Sequence, residues 1–360
     1  ALRAMLRNCS AANIQEEATL FPVKKTWWYI PRSHLGFYGQ RGDQGADHFV
    51  APNPPHGAVF TYYLKDNYKT VKNVRQEKEK SLNEKNRDVP FPGWDALEAE
   101  RREEEAKIWI SVEDHRGNVV RRVPGVATKG FHRVAWDLRY PAPDAIELEA
   151  SGEEPLFDEP SGGFLAPPGT YTATMYKQVN GKVEKLSKTE QFEVIRLRKG
   201  ALPGARPADV ANFWRKYEDA VRSASALSLA FSNAKAKVEG MKLALANSTA
   251  DAGDIDKRIH DLRMEILELE GKVSGNQSKN EPGEKTKPTI SDRLFSVSRG
   301  VGQSTYGPTE TNRQSLKIAM DQLAEAKRDL ESAQKKMSEL AQDLLEAGAP
   351  WIEGEPLPRR

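Results

Sequence analysis

From Ala58 to Leu197 the chain alternates apolar and polar residues in short runs separated by turn-forming segments. The runs are AVFTYYL at 58–64, KIWISVED at 107–114, NVVRRV at 118–123, FHRVAWDLR at 131–139, GTYTATMYKQ at 169–178 and KTEQFEVIRL at 188–197. Side chains of an extended chain point alternately to its two faces, so a period of two predicts strands with one face turned inward. In the second run Ile108, Ile110 and Val112 form the inward set, against Trp109 and Ser111. Phe131, Val134, Trp136 and Leu138 are read as the apolar set of the fourth run, and Tyr171, Ala173 and Met175 as that of the fifth. Between the second and third runs, DHRGN offers Gly117 and Asn118 for the positive φ angles of a tight hairpin.

Past residue 202 the period changes from two to steps of three and four. Pro207 and Asp209 mark a helix start, because proline suits the first helical position and a negative charge suits the first turn. Tyr217, Val221, Ala224, Leu227 or Ser228, Phe231, Ala234, Val238, Met241 and Leu245 then make one apolar stripe. Ile255, Ile259, Leu262, Ile266, Leu269 and Val273 repeat the rhythm, and so do Leu316, Ala319, Leu323, Ala326, Leu330, Ala333, Met337, Leu340 and Leu344. Such seams are stable only when buried against each other, and the connections let successive helices reverse. Leu294, Phe295 and Val297 predict a short packed helix ahead of the last long one.

The predicted fold class is therefore α+β: an immunoglobulin-like antiparallel β-sandwich over residues 57–200, followed by an antiparallel three-helix coiled-coil bundle over 206–347. Residues 1–56 read as an extended strap rich in aromatic residues, proline and glycine, 271–288 as a polar linker of disorder-like composition, and 348–360 as a tail. Two insertions interrupt the sandwich. Residues 65–106 carry two charged, solvent-facing helices around VPFPGW, with Trp94 as the expected anchor. Residues 144–164 form an acidic loop containing Glu147, Glu149, Glu153, Glu154, Asp158 and Glu159, a solvated segment or a receiver for calcium or a basic partner.

Composition removes some function classes. Fifty-four Lys and Arg against 52 Asp and Glu leave a net charge of +2, without the cationic excess on which nucleic-acid binding rests. No window approaches the apolar length of a membrane-spanning helix. The six histidines, at 34, 48, 56, 115, 132 and 260, form no HExxH motif or other i, i+4 pair. Asp43, Asp47 and His48 have ligand chemistry but no metal-loop spacing, and the single cysteine, Cys9, lacks a neighbouring histidine to activate it. SRGVGQST at 298–305 lacks the lysine and the preceding strand of a phosphate-binding loop. The opening ALRAMLRNCSAANI has no secretory-signal pattern. No catalytic residue, cofactor or metal is expected. What remains is aromatic: Trp27, Trp28 and Tyr29 form a candidate stacking platform or buried anchor, and Trp94 and Trp351 sit beside prolines as further partner or glycan contacts, with Trp351 expected to pin the tail.

The order EDHRGNVVRRV, GFHRVAWDLRYPAP, APPGTYTATM, preceded by FVAPNPPHGAVFTYYLKD, resembles a module of large secreted bacterial proteins. It is similar to the immunoglobulin-like domain that follows the β-propeller in the sortilin-like, BNR (Asp-box) repeat family, whose members are often labelled glycosyl hydrolases. The resemblance spans residues 18–200, and the helical tail also fits it. No Asp-box repeat occurs, so the hydrolase label, which belongs to the propeller, is not carried over. The resemblance implies an extracytoplasmic, peripheral protein, and the absence of a propeller and of a catalytic motif makes a non-catalytic role the expectation. Its partner is expected to be another protein, either an upstream β-propeller or, from the wide docking area that sandwich edges and long helices offer, a membrane-embedded complex such as a transport or electron-transfer assembly. A carbohydrate-binding module and an unrecognised acid-based hydrolase are the alternatives.

Overall fold

In the computed structural model the alternation becomes strands almost where it is written, over described residues 16–31, 53–148, 162–179, 181–198, 200, 202–249 and 253–357. The chain is a mixed α+β protein that divides into two units, one formed by Ala1–Pro141 with Phe157–Ala201 and the other by Ala142–Leu156 with Leu202–Arg360.

The first unit is built from sheets. β3 (Ala58–Leu64) buries Ala58, Phe60, Tyr62 and Leu64 completely and leaves Val59, Thr61 and Tyr63 on the other face. It pairs antiparallel with β1 (Ala18–Leu20) and β6 (Gly130–Trp136) in a three-stranded sheet of order β1-β3-β6. A six-stranded sheet runs β2 (Thr26–Trp28), β11 (Glu190–Arg196), β9 (Gly169–Val179), β4 (Lys107–Asp114) and β5 (Val119–Gly125), with β10 (Lys182–Lys185) on β9. The two inner faces share one core. At its centre Trp136 meets Tyr171 edge-on at 5.3 Å and Phe192 at 6.4 Å. Its indole N–H, which burial would otherwise leave unpaired, donates to the Arg139 carbonyl at 2.8 Å.

Three local expectations need correction. The pairing of β2 with β11 is parallel, so the sheet is not wholly antiparallel. Only Gly117 of the DHRGN turn has positive φ, at 81°. Asn118 instead donates its backbone N–H and side-chain amide to the Asp114 carboxylate, which takes over the turn-closing work. The strand predicted to run through Arg139 ends at Trp136, since Leu138 takes φ 65° and the chain turns there into β7 (Arg139–Pro141), paired with β8 (Gly162–Leu165). Gly57 is required beside this turn: at φ 98°, a Cβ on it would lie 1.9 Å from the Trp136 carbonyl oxygen.

Between β3 and β4 the predicted charged helices form an arm. α1 (Val71–Glu84) starts at Thr70, whose hydroxyl accepts the Asn73 N–H at 3.1 Å. α1 buries no residue, and α2 (Trp94–Arg102) buries only Glu100. Arg75 joins them by two parallel bonds, Nε to Oε1 and Nη2 to Oε2 of Glu100, each 2.7 Å. The Val71 N–H closes the base on the Glu103 carboxylate at 2.7 Å.

The second unit is helical: α3 (Pro207–Ala246), α4 (Gly253–Ser274), the single-turn α5 (Gln277–Asn280), α6 (Ile290–Gly302) and α7 (Glu310–Glu346). The apolar stripe of α7 is buried residue for residue as predicted. Along α3 the buried row differs by one residue at each end: Ala220 and Ala244 are covered, whereas Val221 and Leu245 only pack partly against the core. The predicted linker starts late, because α4 continues to Ser274 and buries Val273. α6 belongs to the same core through Ile290, Leu294, Val297 and Val301, but Phe295 is exposed under the Arg299 guanidinium, contrary to expectation. Both α6 and α7 begin with capping boxes, Thr289 with Asp292 and Thr309 with Asn312.

Candidate functional site

The three aromatic residues at 27–29 do not form one platform. β2 is extended, so its neighbours point to opposite faces. Trp28 packs against the sheet core, donating its indole N–H to the Ala166 carbonyl at 2.7 Å, with the Arg196 guanidinium 5.4 Å from its ring centre. Tyr29 leans edge-on against His56 at 4.8 Å, and burial pushes that imidazole below its ordinary pKa, toward the neutral form. Trp27 turns outward, 51% exposed, as Tyr29 does at 39%. It lines a pocket of about 240 Å³ together with Phe21, Lys24, Lys25, Thr61 and Arg133.

The pocket opens on the outer face of the three-stranded sheet, where Phe131 lies 5.9 Å from Phe21 and 4.9 Å from Tyr63. Phe131 belongs to the apolar set of β6 without sharing its buried face. Its odd position, against the even Val134 and Trp136, is the signal that places it outside. The same parity governs Trp109, out of phase with the buried Ile108, Ile110 and Val112. It stacks on Tyr176 at 6.0 Å on the outer face of the larger sheet, with Arg122 at 5.9 Å from its ring.

Trp94 is not an anchor. It is 78% exposed at the tip of the arm, edge-on to Phe91, itself 61% exposed, with ring centres 5.0 Å apart. Pro90 and Pro92 limit the backbone freedom of this tip, and Gly93 at φ 92° turns it into α2. Trp351 does not pin the tail either. Its indole N–H is shared between the Glu355 and Pro356 carbonyls at 3.2 Å, and the ring is half-exposed. Ala349 and Ile352 on the helical core and the Lys237–Glu355 ion pair hold that segment.

Among the described residues Glu17, Tyr68 and Lys177 form a titratable cluster, with Glu184 also on Lys177 at 3.1 Å. Glu17 accepts from Tyr68 Oη at 2.8 Å and from Lys177 Nζ at 2.7 Å. The hydrogen bond from Lys177 holds the Glu17 carboxyl below its usual range, the same bond raises Lys177, and burial raises Tyr68. Each shift moves its group away from neutral pH, the reverse of what acid–base catalysis requires, so the cluster is a tie between β1 and β9. Gly300 and Gly302 of the glycine-rich SRGVGQST lie within α6 and not in a loop. Cys9, His34, Asp43, Asp47, His48 and the acidic residues Glu149, Glu153, Glu154, Asp158 and Glu159 lie outside the described residues; Glu147 is exposed. Among the described residues no group of three or more His, Cys, Asp or Glu side chains could hold a metal ion, and no helix is long and apolar enough to cross a membrane. The chain matches no protein-family model, no curated protein and no solved structure.

Proposed function

We propose that this chain is a non-catalytic interaction protein, an accessory scaffold subunit that docks on a protein partner. The partner is assigned to the extracytoplasmic face of a membrane complex, such as a transport or electron-transfer assembly. In this reading the sheets form an immunoglobulin-like sandwich and the helices an antiparallel coiled-coil bundle of three long members with α6 added. The extracytoplasmic assignment draws on the motif order that resembles the sortilin-like, BNR repeat family. The observation that carries the docking role is the pair Phe91 and Trp94, two large aromatic rings held out on a proline-braced tip. Tryptophan contributes more than most residues to binding when a partner desolvates it, and a stiff tip loses little freedom on docking.

The test is gentle detergent extraction of native membranes followed by size fractionation. Wild type is expected in a large assembly, and a Phe91→Ala/Trp94→Ala variant at about its own 40.2 kDa. Wild type migrating alone, or the variant remaining in the assembly, would sink the docking role. A second reading, a carbohydrate-binding module, rests on the half-exposed Trp27 at its pocket.

A further inference from the structure

The Trp27 pocket is cationic. Lys24, Lys25 and Arg133 contribute to its wall, and of these Lys25 is paired with Glu193 at 2.7 Å. Among the described residues neither Lys24 nor Arg133 has a carboxylate partner. Two other cations of this unit are neutralised where they stand, Lys177 between Glu17 and Glu184 and Arg75 between Glu79 and Glu100. Two charges with no carboxylate partner among the described residues, lining one small concavity, favour an anion there. Arg133 comes from β6 opposite Thr61 of β3. The lysines come from the segment between β1 and β2, which the Phe21 N–H fastens to the Thr61 carbonyl at 3.0 Å and the Thr26 hydroxyl braces on the Lys24 carbonyl at 3.2 Å. The wall is thus assembled on two sheets, with its backbone already hydrogen-bonded.

We propose that this pocket binds an acidic sugar unit, a pyranose ring bearing a carboxylate of the uronate class. This deepens the carbohydrate reading and rests on it, independently of the docking arm. The half-exposed Trp27 indole supplies a flat apolar face for the C–H face of the ring. Arg133 and Lys24 take the carboxylate, and the Thr61 hydroxyl is within the same wall for a ring hydroxyl. A volume of about 240 Å³ suits one ring at a time and is small for a drug-sized molecule. A neutral sugar would leave the two cations unanswered, and a bare inorganic anion would leave the indole face unused.

The experiment is calorimetric titration of the full chain with a trigalacturonate, with its neutral galactose counterpart and with inorganic phosphate. The acidic oligomer is expected to bind at least about tenfold more tightly than the other two, the value of one charge-assisted hydrogen bond. Trp27→Ala should abolish the heat of binding, and Arg133→Gln should reduce the acidic oligomer to the affinity of the neutral one. Lys24→Gln, on an exposed segment, repeats the charge test without touching a strand. Circular dichroism unchanged from wild type shows that each variant is folded. Equal binding of acidic and neutral oligomers overturns the acid preference and leaves the carbohydrate reading standing. Binding of neither oligomer overturns both. Phosphate binding as tightly as the uronate, or uronate binding that survives Trp27→Ala, overturns the proposed ring recognition.

Discussion

The arm and the helical unit are both rich in Lys and Glu, yet they are held together in opposite ways. α7 places an apolar residue inward at every third or fourth position and buries Leu316, Leu323, Leu330, Met337 and Leu344 among neighbouring helices. α1 has comparable charge and no such row, and buries nothing. Its helicity depends on the Thr70 cap and on side-chain pairing, above all the Arg75–Glu100 fork. Charge density therefore says little about whether a helix has a core; the spacing of a few apolar residues decides. The arm is expected to open locally, and the helical unit only as a whole.

The largest effect that could break this contrast is in the helical core. Phe231 is 1% exposed there, and Phe231→Ala should cost about 3–5 kcal/mol in urea denaturation followed by circular dichroism. A loss within error of zero would mean that the helices do not share a cooperative core. Next comes the α7 cap. Thr309→Ala removes the hydroxyl that accepts the Asn312 N–H and should cost about 1 kcal/mol by the same measurement, with Thr309→Ser restoring most of it.

The arm should behave differently. Arg75→Gln is expected to leave the unfolding midpoint of the chain unchanged while speeding protease cleavage between residues 71 and 102; a shifted midpoint would show the arm to be part of the global unit. Acid should act on the same fork. The bond from Arg75 holds the Glu100 carboxyl below its usual range, so the unfolded arm takes up a proton more readily than the folded one. The contribution of the pair is complete at neutral pH and is lost as the pH falls through and below the usual carboxylate range. NMR shifts of α1 and α2 backbone amides during an acid titration read this out, and shifts that move only with the bulk of the protein would contradict it. Smallest of all, Trp94→Ala should change stability by no more than about 0.5 kcal/mol, since an exposed ring has little folded-state packing to lose. A larger loss would return Trp94 to the role of anchor.

Much of this architecture was legible because long elements repeat their signal. β3, β4 and β9 carry enough alternating positions to state both their presence and their faces, and α4 and α7 enough turns to fix a stripe. β1, β2, β8 and β10 are three or four residues long, too short to show a period, and exist because a neighbouring strand offers an edge. Burial is misjudged where a large apolar side chain is taken to imply it, as with Trp94 and Phe295. Trp27 was visible as a candidate, but its pocket was not. Lys24 and Arg133 are distant in sequence and meet only through the β3–β6 register and the segment joining β1 to β2.

The parallel pairing of β2 with β11 also has a meaning in time. A hairpin can zip as soon as its second strand leaves the ribosome, but β2 is made long before the strand beside which it lies. The Glu17–Lys177 bond, between residues 160 apart, waits on the same late arrival. Until β11 emerges, Trp27 and Trp28 sit on an unmated strand, and a nascent chain stalled anywhere before Glu190 is a client for whatever chaperone binds exposed aromatic segments. The last strand of the sheet thus acts as the clasp that dates completion of the first unit.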